Sequence, residues 1–530
     1  MRKFLLLALC IPGCTLYAQS KKFQFKTGSE YELPKRTQDL TFLGNEKDGI
    51  VNLSVKREAL YITQFNPQTL TQTDERVVNI PEATGNMMSE TAVHFGNNFY
   101  WIRSDWNRDQ RKELLYATAV DVKKGKLNDK YITLIEANKL GVNRMRTDVD
   151  NDRQYSKYQF NFDADQKRLL VSYRLAPEIR NDKNSYDRLG IHVFDENLQK
   201  IWGNEFTMPY TEKRMDNLDY AVDANGNGYL LAKVYNSEDR KEKDKSGNPD
   251  YQLEVFKFSN NKPKPEQAKI SLNEYFIQEA SLLENTFHEM IIACTYSKSA
   301  KNKSTEGVFL GVLNSGEIGN YKKGYYRFPV EELQKFETNR KRRKIEKDEE
   351  YEIPNLQVRN IIVEKDGSIF IACEEEYFNV RTTGTSSSGY STKTIYYYED
   401  ILGIKIDAAG NFIWMRKVPK KQKGTNTTET LGFKLISDET GYYFLYLDNK
   451  KNEHIQEDET PATHVAGFGG QVMVSKIDNN GTITKELIFD TRDEDIMITP
   501  KQFKKINNNQ FIGRAKIRKT LFKPVLITMN

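Results

Sequence analysis

Asp148, Asp150 and Asp152 alternate with other residues in the run DVDNDR, a spacing with which carboxylates wrap a hard divalent cation, and they are the candidate calcium ligands of this chain. Arg153 stands where a calcium loop needs the glycine of its sharp turn, and Gln159 where it needs a closing acid, so a plain acidic turn is the competing reading. No other cofactor is implied. The five histidines lack the HxH or HxxxH spacing that puts two imidazoles on one face; His454 and His464, in one acidic loop, are read as solvated. The run GTSSSG from Gly384 to Gly389 lies in a loop, whereas a nucleophilic serine of the G-x-S-x-G kind sits on a strand-to-helix elbow. GFGG at Gly467 to Gly470 is a loop signal, and neither a phosphate loop nor a dinucleotide fingerprint is present, so no catalytic residue is assigned.

The residue types point to contact surfaces instead. The stretch from Glu374 to Asp400, read as a long loop, carries Tyr377, Phe378, Tyr390 and the run Tyr396 to Tyr398. Tyrosine offers a large contact area with a polar tip at little entropic cost. Alternate members of the triple run turn inward if it is a strand, which leaves Tyr390 and Tyr397 as contact candidates, with Trp106 and Phe468 from other loops. Arg340 to Lys344 are all basic, but Glu346, Asp348, Glu349, Glu350 and Glu352 offset them, so about 330–356 reads as a solvated, charged helical insertion.

What must position these groups is a unit that recurs along the chain. A turn followed by a nearly continuous apolar strand appears as NEKDGIVNLSV, FGNNFYWIRS, FDADQKRLLVSY, VDANGNGYLLAKVY, LENTFHEMIIACTY, VEKDGSIFIACEE, ISDETGYYFLYL and INNNQFIGRAKI. Strands apolar on both sides are covered on both faces. A second strand, a tight turn and an outer strand follow, as in LGIHVFDENLQKIW and LGIKIDAAGNFIW. This predicts an all-β fold, a single β-propeller of about eight four-stranded blades, with seven as the alternative. The last unit, PVLITMN, lacks an outer strand, and KKFQFKTGSEYEL near the start is an unpaired one, so pairing of the N- and C-terminal strands closes the ring. Short turns gather on one face and long loops on the other, and a binding site belongs on the long-loop face. Gln159, Asp219, Gln278, Arg359 and Lys434, near the starts of inner strands, are expected to line the channel, and Arg359 is included among the binding candidates. Cys294 and Cys373 occupy matching places in adjacent blades, about 10 Å apart by sheet spacing, and are read as buried free thiols.

FDENLQKIW (Phe194 to Trp202) and IDAAGNFIW (Ile406 to Trp414) resemble the quinoprotein-like repeats of secreted bacterial β-propellers, a likeness of architecture that implies no particular activity. The start, MRKFLLLALC to Ala18, reads as a signal peptide over 1–18 with the propeller over 19–530, which implies a secreted or periplasmic protein; Cys14 offers a lipid-anchor alternative. No segment reads as a transmembrane span. With 79 basic against 74 acidic residues the chain lacks the surplus charge of a nucleic-acid binder. The expected role is non-catalytic binding or scaffolding of a protein or glycan of the cell envelope; an extracellular enzyme acting on a glycan or other substrate at the central channel mouth is the alternative.

Overall fold

The aspartates that recur at the turns act as caps. Asp195 Oδ1 accepts the N–H groups of Asn197 and Gln199 at 2.9 and 2.8 Å, and Asp478 Oδ1 accepts those of Asn480 and Thr482 at 2.9 and 2.8 Å. These bonds are local to each chain reversal and fix its geometry. The third residue after the capping aspartate turns to positive φ, 80° at Gly226, where glycine carries no steric penalty, and 57° at Leu198, where the side chain is buried between two blades.

The computed structural model describes residues 22–80, 83–141, 157–177, 183–300, 304–314, 316–348, 350–385 and 389–530. Among them, successive antiparallel sheets occupy residues 38–79, 88–137, 158–211, 215–270, 276–327, 356–418 and 433–490, each an up-and-down blade. The eighth blade is built from both ends of the chain. Its inner strand is split into Met497–Ile498 and Lys504–Lys505, its middle strands are Gln510–Lys516 and Leu521–Met529, and its outer strand is Phe23–Thr27 extended by Tyr31–Glu32. Phe23 pairs with Met529 and Thr27 with Val525, antiparallel and without a break in register.

A ring requires that every blade bury both faces, and eight apolar clusters do this. Trp101 packs with Leu53 between blades 1 and 2, Leu253 with Ile292 between blades 4 and 5, and Phe23 with Leu445 and Ile527 between blades 7 and 8. The circle closes through Tyr31, Phe42, Phe65, Ile512 and Phe522, which join blade 8 to blade 1. Polar links reinforce the stack. Glu284 in blade 5 accepts the backbone N–H groups of Ala164 in blade 3 and Ala224 in blade 4, at 2.9 and 2.8 Å. The tryptophans of the two repeated motifs reach into the following blade, Trp202 Nε1 to Gly226 O at 2.7 Å and Trp414 Nε1 to Asn479 O at 3.2 Å.

Turns between first and second strands and between third and fourth are short, so the long connections share the opposite face. Two expectations there are corrected. The stretch 374–400 is mainly strand: Ile369–Thr385 and Gly389–Ile406 form one long hairpin, because the alternation in YFNV and TIYYY outweighs the small polar residues near its tip. The insertion between blades 5 and 6 forms helices Val330–Gln334 and Asn339–Lys347, but it is not simply solvated, because Leu333 and Ile345 are buried in the cluster between those blades. Among the described residues no helix is long and apolar enough to cross a membrane.

Closure by residues 23–27 makes Phe23, whose ring meets that of Tyr443 edge-on at 5.5 Å, a core residue of the ring. Phe23→Ala is expected to cost about 3–5 kcal/mol in denaturant unfolding, against less than about 0.5 kcal/mol for Phe468→Ala on an exposed loop. Equal effects would contradict the closure.

Candidate functional site

The second strand of blade 6 leaves the ring at three successive glutamates. A bulge sets Glu374 opposite Ile401 and Glu376 opposite Tyr398, so Glu375 falls between register positions and points the other way. On one side Glu374 accepts from Arg359 Nε at 3.0 Å and from Lys420 at 2.8 Å, all three side chains being almost wholly buried. Arg359, itself at a bulge of the inner strand Leu356–Val363, also pairs with Glu376. Burial alone would raise the Glu374 carboxyl, but Lys420, Arg359 and Lys501 together outweigh it and hold the group below the usual carboxylate range. Lys501 lies 4.3 Å from the centre of the Tyr398 ring.

On the opposite side Glu375 lines a narrow, closely packed crevice with Glu337, Lys341, Tyr351, Asp400 and Lys417. Lys417 bridges Glu337 at 2.7 Å and Asp400 at 3.0 Å, and Lys341 reaches Glu337 at 2.8 Å. Glu375 is pushed up to about 8, first by burial and then by the charges of Glu399 and Asp400, with Lys341 opposing. These ion pairs root the hairpin in the ring and hold the inserted helices against it.

Beyond the root the hairpin stands clear. From Tyr377 onward the strand Ile369–Thr385 pairs only with Gly389–Ile406, among the described residues, so its other edge is open. Phe378, Val380 and Tyr390 share one face and are 49, 56 and 71% exposed. Tyr397 is on the other face, stacked on Tyr377 with ring centres 4.7 Å apart. The short strands Gln422–Thr425 and His464–Val465 extend the small sheet on the side away from the open edge. They bring the blade 7 loop carrying Val465 and Phe468, 61 and 58% exposed, into the same region.

The structure therefore gathers Tyr390, Tyr397 and Phe468 on neighbouring blades but not Trp106, which lies near the end of the second strand of blade 2, Asn98–Asn107, across the ring from blade 6. Arg359 is spent on Glu374 and Glu376 inside the blade, so its expected place in the channel lining is corrected: the bulge turns it inward. Asp219 is drawn into the frame as well. It accepts the backbone N–H groups of Tyr220 and, from the next blade, Leu282 at 2.9 and 2.8 Å, and burial pushes it up to about 7. Asp148, Asp150 and Asp152 lie outside the described residues, as do 1–18 and Cys14. Among the described residues no group of three or more His, Cys, Asp or Glu is arranged to hold a metal ion. Cys294 and Cys373 are free and buried, and burial pushes Cys373 up to about 12. His464 is not solvated as expected. It pairs into the small sheet against Gly470, where an added Cβ would lie 2.7 Å from its ring. Sequence reasoning missed Glu374 to Glu376, Lys417 and Lys420; the signal was the run EEE inside an apolar strand pattern, where acids are buried only with partners.

No family model matches this chain, and no curated protein matches it in sequence. Among solved structures it is similar to the Dos1 propeller, at 8% identity over 94% of each chain and a TM-score of 0.42. It is also similar to the polysaccharide lyase Uly1, at 8% identity over 83% of this chain and 90% of that one, TM-score 0.37. A third similar structure is the propeller domain of the trilobed protease of Pyrococcus furiosus, at 9% identity over 87% of this chain and 98% of that one, TM-score 0.34.

A carboxyl raised on folding stabilises the fold below its unfolded value of 4.5, and that contribution is lost as pH rises through about 8. Replacing Glu375 by Gln is therefore expected to remove up to about 1.4 kcal/mol per pH unit of slope from the stability curve in this window. Urea midpoints across that range check it; parallel curves for the two proteins would mean Glu375 is ionised in the folded state.

Proposed function

We propose that this chain is a secreted or periplasmic binding propeller that recognises a protein or glycan of the cell envelope through its long-loop face, with the blade 6 hairpin as the principal contact. The observation that carries this reading is an apolar, aromatic stripe, Phe378, Val380 and Tyr390, held out from the ring on a root of fully buried ion pairs. A hairpin anchored this firmly meets a partner with little loss of conformational freedom. The open strand edge beside the stripe adds backbone donors and acceptors for a protein strand, and the tyrosines offer flat faces to a sugar ring.

Binding is favoured over catalysis by the use made of the acids. Glu375 and Asp219, pushed up to about 8 and about 7, are packed between insertion and hairpin and between neighbouring blades respectively. The leader over 1–18 supports export, and the quinoprotein-like likeness of the two tryptophan motifs accords with an exported propeller.

Joining Phe378 to Tyr396 through an Asn-Gly turn removes the projecting part and spares the root, since these residues are directly paired. The shortened protein is expected to keep its unfolding midpoint and to lose capture of the partner cross-linked to the intact protein in envelope preparations of its own host. Undiminished capture by the shortened protein would overturn the assignment of the hairpin. Turnover of an envelope glycan by the intact protein would overturn the non-catalytic reading.

A further inference from the structure

The strand ends of blades 3 and 4 meet on the long-loop face around a polar cleft with about 80 Å³ of free volume, room for several waters. Arg174 closes the second strand of blade 3, Arg168–Arg174; Lys183 precedes the third, Tyr186–Asp195, and Asp187 lies near its start. Glu212 follows the fourth strand, Lys200–Thr211. Blade 4 contributes Met215, Asp216 and Asn217 from its inner strand Met215–Val222, and Arg240 from the connection beyond Gly228–Tyr235. Ion pairs hold the charged groups in place: Arg174 Nε donates to Asp187 Oδ1 at 2.6 Å, Arg174 lies 3.5 Å from Glu212, and Arg240 pairs with Asp216. Arg240 adopts φ 52°, a left-handed position that glycine would fill without penalty, and its guanidinium lies over the Tyr235 ring at 4.6 Å.

The telling atom is Asn217 Oδ1. Among the described residues it is buried without a hydrogen-bond partner, whereas Nδ2 of the same amide donates to Asp187 Oδ2 at 3.4 Å. A carboxylate can only accept, so that bond turns the amide nitrogen toward Asp187 and leaves the carbonyl oxygen as the free end. The inner strand is bulged between Asn217 and Asp219, an irregularity of the kind that re-aims a side chain. A buried acceptor with no donor is costly, and a ligand that brings a donor into the cleft relieves that cost. The lining also limits what the ligand can be. Arg174, Lys183 and Arg240 balance Asp187, Glu212 and Asp216, so neither sign of charge is favoured. After their ion pairs, the guanidiniums keep N–H donors to spare and the carboxylates keep lone pairs. A hydroxyl both donates and accepts, and two neighbouring hydroxyls can serve a carboxylate and a guanidinium together.

We propose that this cleft binds the hydroxyl-bearing edge of a neutral sugar residue, with Asn217 Oδ1 and Asp216 accepting from its hydroxyls and Arg174 and Arg240 donating to them. Blade 5 separates the site from the blade 6 hairpin, and it does not depend on the role assigned to that hairpin. The few fixed polar groups supply orientation and specificity, as they do in small-molecule sites generally.

Magnetic resonance of isotope-labelled methionine methyl groups tests the site during titration with glucose, galactose, mannose and N-acetylglucosamine, each to tens of millimolar. Met215 lines the cleft, and Met473, in the cluster between blades 6 and 7, is the internal reference; Met215→Leu and Met473→Leu assign the two signals. At least one neutral sugar is expected to move the Met215 signal saturably and to leave Met473 in place. This reading uses the unsubstituted protein and so is independent of how variants fold. Asn217→Ala and Arg240→Gln are each expected to weaken that sugar about tenfold. Lys365→Gln, at an exposed site on a turn, and the shortened hairpin are expected to bind as the intact protein does. A Met215 signal indifferent to all four sugars, an affinity unchanged in both cleft variants, or tighter binding of galacturonate or glucosamine than of every neutral sugar would overturn the proposal.

Discussion

The mutual burial of sheet faces around a closed circle is the interaction from which the rest of this protein follows. Each blade alone is a four-stranded sheet with two apolar faces, and neither face is satisfied until a neighbour covers it. The six contacts from blade 1 through blade 7 join blades in chain order, but those of blade 8 with blades 7 and 1 are complete only with Phe23–Thr27 and Tyr31–Glu32 from the other end. The strand Phe23–Thr27 both completes the last sheet and, with Tyr31–Glu32, helps carry the core across to blade 1, where Tyr31 meets Phe65 edge-on at 5.2 Å. The ring is therefore complete only when both ends are in place.

A frame stabilised at its interfaces leaves its rims free to vary. Short capped turns on one face lock the strands in register, and the insertions collect on the other. Blade 6 shows how far this can go. Its middle strands continue past the ring as a hairpin, and the transition is managed by charge: Glu374 and Glu376 meet Arg359 and Lys420 on one side while Glu375 meets the Lys341 and Lys417 network on the other. Buried ion pairs of this kind add little net stability compared with apolar packing, but breaking one partner is costly, so they specify a single geometry. The hairpin's exposed aromatic stripe owes its fixed direction to that root.

The ring was legible in the sequence because its signals are local and repeated. Asp or Asn before a turn, Gly or a tolerant residue within it and a doubly apolar strand after it recur often enough that eight units, the closing strand and the long-loop face can be read without coordinates. Less was legible at the candidate site. Tyr396 and Tyr398 are buried and Tyr397 lies on the other face in keeping with strand alternation, and Tyr390, on the face of Tyr396, is exposed because it lies toward the tip, but the hairpin as a whole reads as a loop because serines and glycines near its tip mask that alternation. The partners of Glu374 to Glu376 come from 337, 341, 359, 417 and 420, and no spacing rule links positions that only the fold brings together. The position of Arg359 near the start of an inner strand points to the channel; a one-residue bulge is enough to reverse its direction.

The closing strand can be tested directly with a designed cross-link. Gln24 and Thr528 are opposite one another in the register and point away from the core, and the native thiols Cys294 and Cys373 are buried out of reach. In protein beginning at residue 19, cysteines at 24 and 528 should form an intramolecular disulfide under mild oxidation, as paired antiparallel residues lie within about 4.5–5.5 Å between Cα atoms. Near-complete formation of that link in folded monomer, seen by mass after alkylation and lost on unfolding before oxidation, is the predicted result. Two free thiols persisting in the folded protein would contradict the closed ring.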